Sequence, residues 1–247
     1  MDKNQVANAI KQLREKSPKK KFSQSVDFLV NLQNLDLKKP EHKVDLFIQM
    51  PHTRGKKMKL CAFVDPQLAA VAKKAMDKVI LLEEFDKYKD NKSEQKRLAQ
   101  DYDFFISQLE LMGKMAGTFG KILGSRGKMP SPKAGAVVPG SIQTLEPLVA
   151  KLQKTIRLQT KNELSVKASI GTEAMKDEEL IENILAVYNT LVAKLPQEKN
   201  NVKYAAIKLT MGPIIKIGEP QKEANVNNKK VKKWITNQKQ QITKKEK

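Results

Sequence analysis

The chain has 247 residues, 40% hydrophobic and 30% charged, with 47 Lys and Arg against 27 Asp and Glu for a formal net charge of +20. That length suits one large domain or two ordinary ones with real cores, and the charge surplus calls for a polyanionic partner, either nucleic acid or an acidic membrane surface. No run approaches the ~18 apolar residues of a membrane span; the single cysteine, Cys61, rules out an intrachain disulfide and fits a reducing cytosol, and one Cys with two His (His42 and His52) cannot supply a cysteine-rich structural zinc site.

Met1 to Leu13 carries no signal-peptide stretch; Val6, Ile10 and Leu13 fall on a helical spacing instead. Phe22, Val26, Phe28, Val30 and Leu32 share one parity and predict a strand with one buried face, which by itself makes Phe22 a core residue. Val44, Leu46, Ile48 and Met50 alternate in the same way, as do Leu164, Val166, Ala168 and Ile170 further on. Pro51-His52-Thr53-Arg54-Gly55-Lys56 is punctuated as a hinge, with His52 as a hydrogen-bonding member and Pro51 and Gly55 as its breaks.

Past the hinge the pattern changes. Leu60–Val64, Val79–Leu82 and Phe104–Ile106 are solid apolar runs, as expected of parallel strands buried on both faces. Helical patterns at about 67–76, 93–100 and 109–121 lie between and after them, the arrangement of a doubly wound unit. A helix is predicted to begin at Thr144, with Pro147 in its first turn. Another runs from Asp177, as N-cap, to Leu195 and stops at Pro196, with Glu178 and Glu179 at its dipole-favoured end.

The fold class is therefore α/β: an α+β outer domain with a partly antiparallel sheet, residues 1–56 plus 153–219, interrupted by a doubly wound, Rossmann-like parallel-sheet domain at 57–152. The segment 220–247 reads as a basic, disordered tail. From Glu219 it holds nine Lys and three Glu, with Trp234 isolated among them.

Seven of the 11 glycines lie between Gly113 and Gly140, interleaved with Lys114, Lys121, Arg126, Lys128 and Lys133. Three readings fit: a tightly packed loop, a nucleic-acid contact made by Arg126, Lys128 and Lys133, or the phosphate site of a nucleotide-dependent enzyme at 113–135. The last lacks the Gly-Lys-Ser/Thr ending of a P-loop, because Met129 follows Gly127-Lys128 and Ile122 follows Gly120-Lys121. Asp65, Asp101, Asp103, Glu83 and Glu84 have no neighbours that complete a nucleophile, base or metal constellation. No cofactor and no catalysis are expected.

Leu123-Gly124-Ser125-Arg126-Gly127-Lys128-Met129-Pro130-Ser131-Pro132-Lys133-Ala134-Gly135 resembles the signature of the large-subunit ribosomal protein family L-one. That family reads Leu-Gly-Pro-Arg-Gly-x-Met-Pro-Asn-Pro-Lys, so Ser125 and Ser131 depart from it, while Lys128 is similar to the archaeal form. Lys21-Phe22, Pro51–Lys56 and Thr210-Met211-Gly212-Pro213 continue the resemblance in family order over about 1–218. The resemblance implies a non-enzymatic protein of the cytoplasmic ribosome whose outer domain grips the stalk of large-subunit rRNA. It maps the gripping residues onto Lys21, Phe22 and Ser25, onto Ser169, Ile170 and Gly171, and onto Thr210, Met211 and Gly212. It further implies contact with exit-site tRNA and other ribosomal components, repression of its own mRNA, and no membrane partner.

Overall fold

The computed structural model describes residues 1–18, 20–39, 42–89, 91–140, 145–160 and 162–218. The two strand styles of the sequence become two kinds of sheet. Alternation along β1 (Ser25–Leu32) buries Val26, Phe28, Val30 and Leu32 and turns Ser25, Asp27, Leu29 and Asn31 outward. The strand lies between β8 (Ser165–Thr172) and β9 (Val202–Leu209), antiparallel to both, and β10 (Ile214–Lys216) closes the sheet in the order β10-β9-β1-β8. Helices α1 (Lys3–Lys16) and α7 (Asp177–Val192) cover its inner face, with Val6, Ile10, Leu13, Ile184 and Leu191 in the core. A separate two-stranded ribbon, β2 (Asp45–Gln49) with β7 (Thr155–Gln159), adds Ile48, Ile156 and Leu158 to that core.

Residues 60–138 build a parallel sheet in the order β4-β3-β5-β6 from β3 (Leu60–Val64), β4 (Lys78–Leu81), β5 (Phe104–Gln108) and β6 (Val137–Val138). Helix α2 (Pro66–Ala75) and α6 (Glu146–Gln153) pack on one face, and α3 (Phe85–Lys89), α4 (Lys92–Asp101) and α5 (Met112–Ser125) on the other. Along β3 the side chains go alternately to the two sides: Leu60, Ala62 and Val64 join one cluster, Cys61 and Phe63 the other. Burial on both faces is why this run has no polar alternation. Phe63 touches the rings of Phe85, Phe105 and Phe119, with centroids 5.7, 5.9 and 5.0 Å away.

The α/β fold class, antiparallel outer sheet plus parallel central sheet, is thus the one that strand style predicts. Several details differ. Lys176, not Asp177, is the N-cap of α7; Asp177 lies inside the first turn and pairs with Arg14 at 2.6 Å. Helix α5 runs on to Ser125, so Gly113, Gly117, Gly120 and Gly124 are helical, and the loop begins only at Arg126. Helix α6 starts at Glu146 with its proline in the first turn. The predicted start at Thr144 and the tail with Trp234 lie outside the described residues.

Cys61 is fully buried, and burial pushes its thiol up to about 12. At pH 8 it stays protonated, and the thiolate is the reactive form. Native protein is therefore expected to resist iodoacetamide at pH 8, while protein in denaturant is alkylated at one site, as intact-mass spectrometry would show. Rapid alkylation of the native form would mean that β3 is not closed by its helices.

Candidate nucleic-acid interface

The nine residues mapped from sequence converge at one end of the antiparallel sheet. Ser25 opens β1 and pairs with Thr172 of β8, and the backbone N–H of Thr210, just past β9, donates to the Ser25 carbonyl at 3.2 Å. The Thr210–Pro213 turn therefore sits beside the segment that leads into β1. The Thr210 hydroxyl accepts from the Ser25 N–H at 3.1 Å, so it fixes the turn to the strand rather than standing free.

Met211 is 60% exposed and Phe22 52%. The parity argument that put Phe22 in the core fails because β1 starts only at Ser25; before it the chain is irregular and the alternation no longer applies. Lys20, Lys21 and Thr210 are also exposed. In contrast, Ile170 is fully buried and its carbonyl accepts from the Asn183 side chain at 3.1 Å. Its side chain lies in the core, not on the surface. A Cβ at Gly171 would collide with Leu180 and Met175, so glycine there lets α7 close on β8. A Cβ at Gly212 would come within 2.6 Å of the Ser17 hydroxyl, which has no hydrogen-bond partner among the described residues. Of the β8 trio, Ser169 remains at the surface. It hydrogen-bonds Asp27, whose carboxyl burial pushes above the usual range against the pull of Lys208 and of that bond.

Two organisers of this site have no motif. Gln24 is fully buried, accepts from the Met211 N–H at 3.1 Å, and donates to the Pro18 carbonyl at 3.2 Å. One amide thus ties the Met211 turn to the segment after α1. Arg14 donates to the carbonyls of Glu173 and Met175 at 3.0 and 2.9 Å and binds the loop after β8 to α1. Burial of glutamine just before a strand was the only available signal, and it is not readable from a single sequence. Gln24→Ala leaves buried polar atoms unpaired, at a cost of about 1–3 kcal/mol. The expected result is a lower melting temperature together with weaker RNA binding; unchanged binding would show that the turn keeps its shape without Gln24.

The predicted hinge is pinned at its start. The His52 N–H donates to Asn183 and its ring nitrogen Nε2 lies 2.7 Å from Glu182, while Lys154 donates to the Pro51 carbonyl at 3.1 Å. Gly55 has φ +73° and lies so close to Thr172 and Met175 that a Cβ would fall 2.5 Å from the Thr172 hydroxyl. This brings Arg54, Lys56 and Lys57 to a cleft of about 180 Å³ whose other wall carries Ser25 and Ser169. Gln153 bridges the two chain crossings, accepting from the Met58 N–H and donating to its carbonyl, both at 2.9 Å.

Of the loop cations, Arg126 and Lys133 are exposed. Lys128 instead donates to the carbonyls of Ala99 and Tyr102 at 3.0 and 2.7 Å, at the C-terminus of α4, where a helix favours positive charge. Burial lowers its pKa, opposed by Asp103. Arg157 reaches the loop from β7, donating to the Gly127 carbonyl at 2.6 Å while forking onto Asp45. Among the described residues no group of His, Cys, Asp and Glu is arranged to hold a metal ion.

Comparison with known proteins shows the family. The model of the ribosomal protein L1p/L10e family matches residues 13–213. The large ribosomal subunit protein uL1 of Thermococcus kodakarensis is 41% identical over 216 residues, covering 87% of this chain and 98% of its own. Those of Pyrococcus abyssi and Methanothermobacter thermautotrophicus are 39% and 37% identical, over 87% and 86% of this chain and 96% and 98% of theirs. A match that spans the antiparallel sheet, the parallel sheet and the Thr210–Pro213 turn leaves one conclusion: the chain belongs to the ribosomal protein L1p/L10e family.

Proposed function

We propose that this protein holds the stalk region of large-subunit rRNA on the surface formed by Phe22, Ser25, Ser169, Thr210, Met211 and Gly212. The protein is a structural component of the large subunit in the cytoplasmic ribosome and not an enzyme, as its family membership establishes. The observation that carries the rRNA reading is the pair Phe22 and Met211, large apolar side chains exposed to solvent beside exposed lysines, with the Met211 turn bonded to the buried Gln24. Exposed apolar groups on a rigid frame mark a contact surface, and structured RNA is read by shape, through sugar and phosphate contacts and stacking on unpaired bases. The stalk held in this way assists release of exit-site tRNA, with Arg126 and Lys133 as further cations. A stalk-like fold in the protein's own mRNA would meet the same surface, which would make the protein a translational repressor.

We read residues 57–152 as a body that moves on the rest, with its pivot at Lys56–Lys59 and Gln153–Lys154, because Pro51–Gly55 is tied down by Asn183, Glu182 and Thr172. A nucleotide-dependent enzyme at 113–135 has no support: the first part of that segment is helix interior, and its loop follows a helix instead of opening one.

The test is binding of the full chain to a stalk-rRNA fragment, competed with an equal mass of unrelated duplex RNA across a salt series. Preference that persists at physiological salt is expected, over a background falling with salt by ~0.7–0.9 in log affinity per phosphate neutralised. Equal affinity for both RNAs, collapsing together, would leave only a basic surface.

A further inference from the structure

The two parts of the chain have separate cores: the cluster under the antiparallel sheet shares no member with either cluster of the parallel sheet. What joins them is polar and local. At the pivot the chain crosses twice, and Gln153 bridges the crossings. Away from the pivot, among the described residues, one hydrogen bond reaches from the outer part to residues 57–152. It runs from Arg157 of β7 to the Gly127 carbonyl, at 2.6 Å. Beside it Phe47 and Ile156 of the ribbon face Phe104, Met129 and Ala134 across a gap of about 240 Å³. Side chains that border such a gap do not interlock, so dispersion does little to hold the two sides together.

From this arrangement we propose that Arg157 is a releasable clasp, which sets the resting position of residues 57–152 against the β2–β7 ribbon. This rests on the reading above that residues 57–152 move on their pivot, and adds to it the contact that governs the movement. Arg157 is anchored on its own ribbon. Register puts it opposite Phe47, whose ring centroid lies 5.3 Å from the guanidinium. Its Nε and Nη2 donate to the two carboxylate oxygens of Asp45 at 2.7 and 2.9 Å. Such a fork fixes the plane of the guanidinium, and Nη1 is then aimed at Gly127. The receiving end is equally fixed. Gly127 has φ +68° and ends α5: its N–H donates to the Gly124 carbonyl and the Lys128 N–H to the Leu123 carbonyl, at 3.0 and 2.8 Å. A Cβ at Gly127 would lie 3.1 Å from Nη1, so glycine also gives the guanidinium its room. The last turn of α5 carries no basic residue, and Arg157 brings a positive charge to the negative end of that helix. A single charge-assisted bond favours one position without locking it, which leaves a second position within thermal reach.

The experiment uses the full chain with spin labels on K11C in α1 and K96C in α4, and reads the distance between them by pulsed electron resonance. Both lysines are exposed, and the buried Cys61 is expected to take no label in the folded protein. R157M removes the donors and keeps an unbranched side chain on the strand; D45N keeps Arg157 and takes the charge from its anchor. The wild type should show one dominant, narrow distance. In R157M the ratio of a second distance to the first should rise about 10-fold, the weight of one charge-assisted hydrogen bond, and in D45N by less. If the wild type is already broad and R157M leaves the distribution unchanged, the clasp is overturned while the moving body stands. If wild type and R157M share the same single narrow distance, the clasp is overturned and the reading of a moving body falls with it. A thermal melt accompanies each variant. Should R157M fail to fold, D45N decides: a second distance supports the clasp, and an unchanged distribution overturns it.

Discussion

Met211→Asp should lower affinity for stalk rRNA by about 100-fold while leaving the melting temperature within a degree or two of the wild type. Met211 is 60% exposed, and the bond from its backbone N–H to Gln24 does not depend on the side chain. The substitution therefore removes no core contact. It does put a carboxylate where the proposed function brings phosphates and riboses, and like-charge juxtaposition at an interface costs several kcal/mol, of which about 3 kcal/mol gives the stated factor. Filter binding or calorimetry against the stalk fragment, beside a thermal melt, reads both quantities. A variant that unfolds would show that the turn belongs to the core; one that binds normally would move the interface away from the Thr210–Pro213 turn.

Phe63→Ala should cost about 3–5 kcal/mol in the parallel-sheet part of the molecule, the range for truncating a buried phenylalanine. Phe63 is fully buried and stands among Phe85, Phe105 and Phe119, so alanine leaves a cavity that three rings and a sheet cannot easily fill. The core of the antiparallel sheet is a separate cluster with no member in common. Hydrogen exchange should therefore show early opening of β3, β5 and α5 in the variant, with β1, β8 and β9 still protected. Binding of stalk rRNA should persist, because the Phe22 and Met211 surface proposed to hold it is on the protected side. Joint loss of protection in both sheets would mean that the two cores unfold as one unit and that the middle segment is no separate body.

The two predictions divide the molecule along a line already visible in the sequence. Val26, Phe28, Val30 and Leu32 against Ser25, Asp27, Leu29 and Asn31 is a period of two, and it gives a half-buried strand wherever it falls in the fold. Leu60–Val64 has no such period, and only a strand covered on both faces tolerates that. Local rules failed where the backbone changed state. Phe22 keeps the parity of β1 but precedes its first residue, so its ring is outside. The helix predicted at about 109–121 runs on through Gly124 to Ser125, because Met115, Phe119 and Leu123 anchor one face of α5 in the core and that burial outweighs the low helix propensity of glycine.

What the sequence by itself determined is the α/β class and the order of the two sheet types, because hydrophobic period and glycine or proline punctuation act over a few neighbouring residues; the segments that meet around the Met211 turn came from the family resemblance alone. What only the tertiary structure decided is which side chains face outward there. Ile170 is turned inward and bonded through its carbonyl to Asn183, Lys128 is committed to the end of α4, and Gln24 is buried beneath the Met211 turn. Each of these depends on a partner at least 13 residues away in the chain. A hydrogen bond across such a distance exists only once packing has brought its two ends together, and no periodicity in one segment encodes what will stand opposite it.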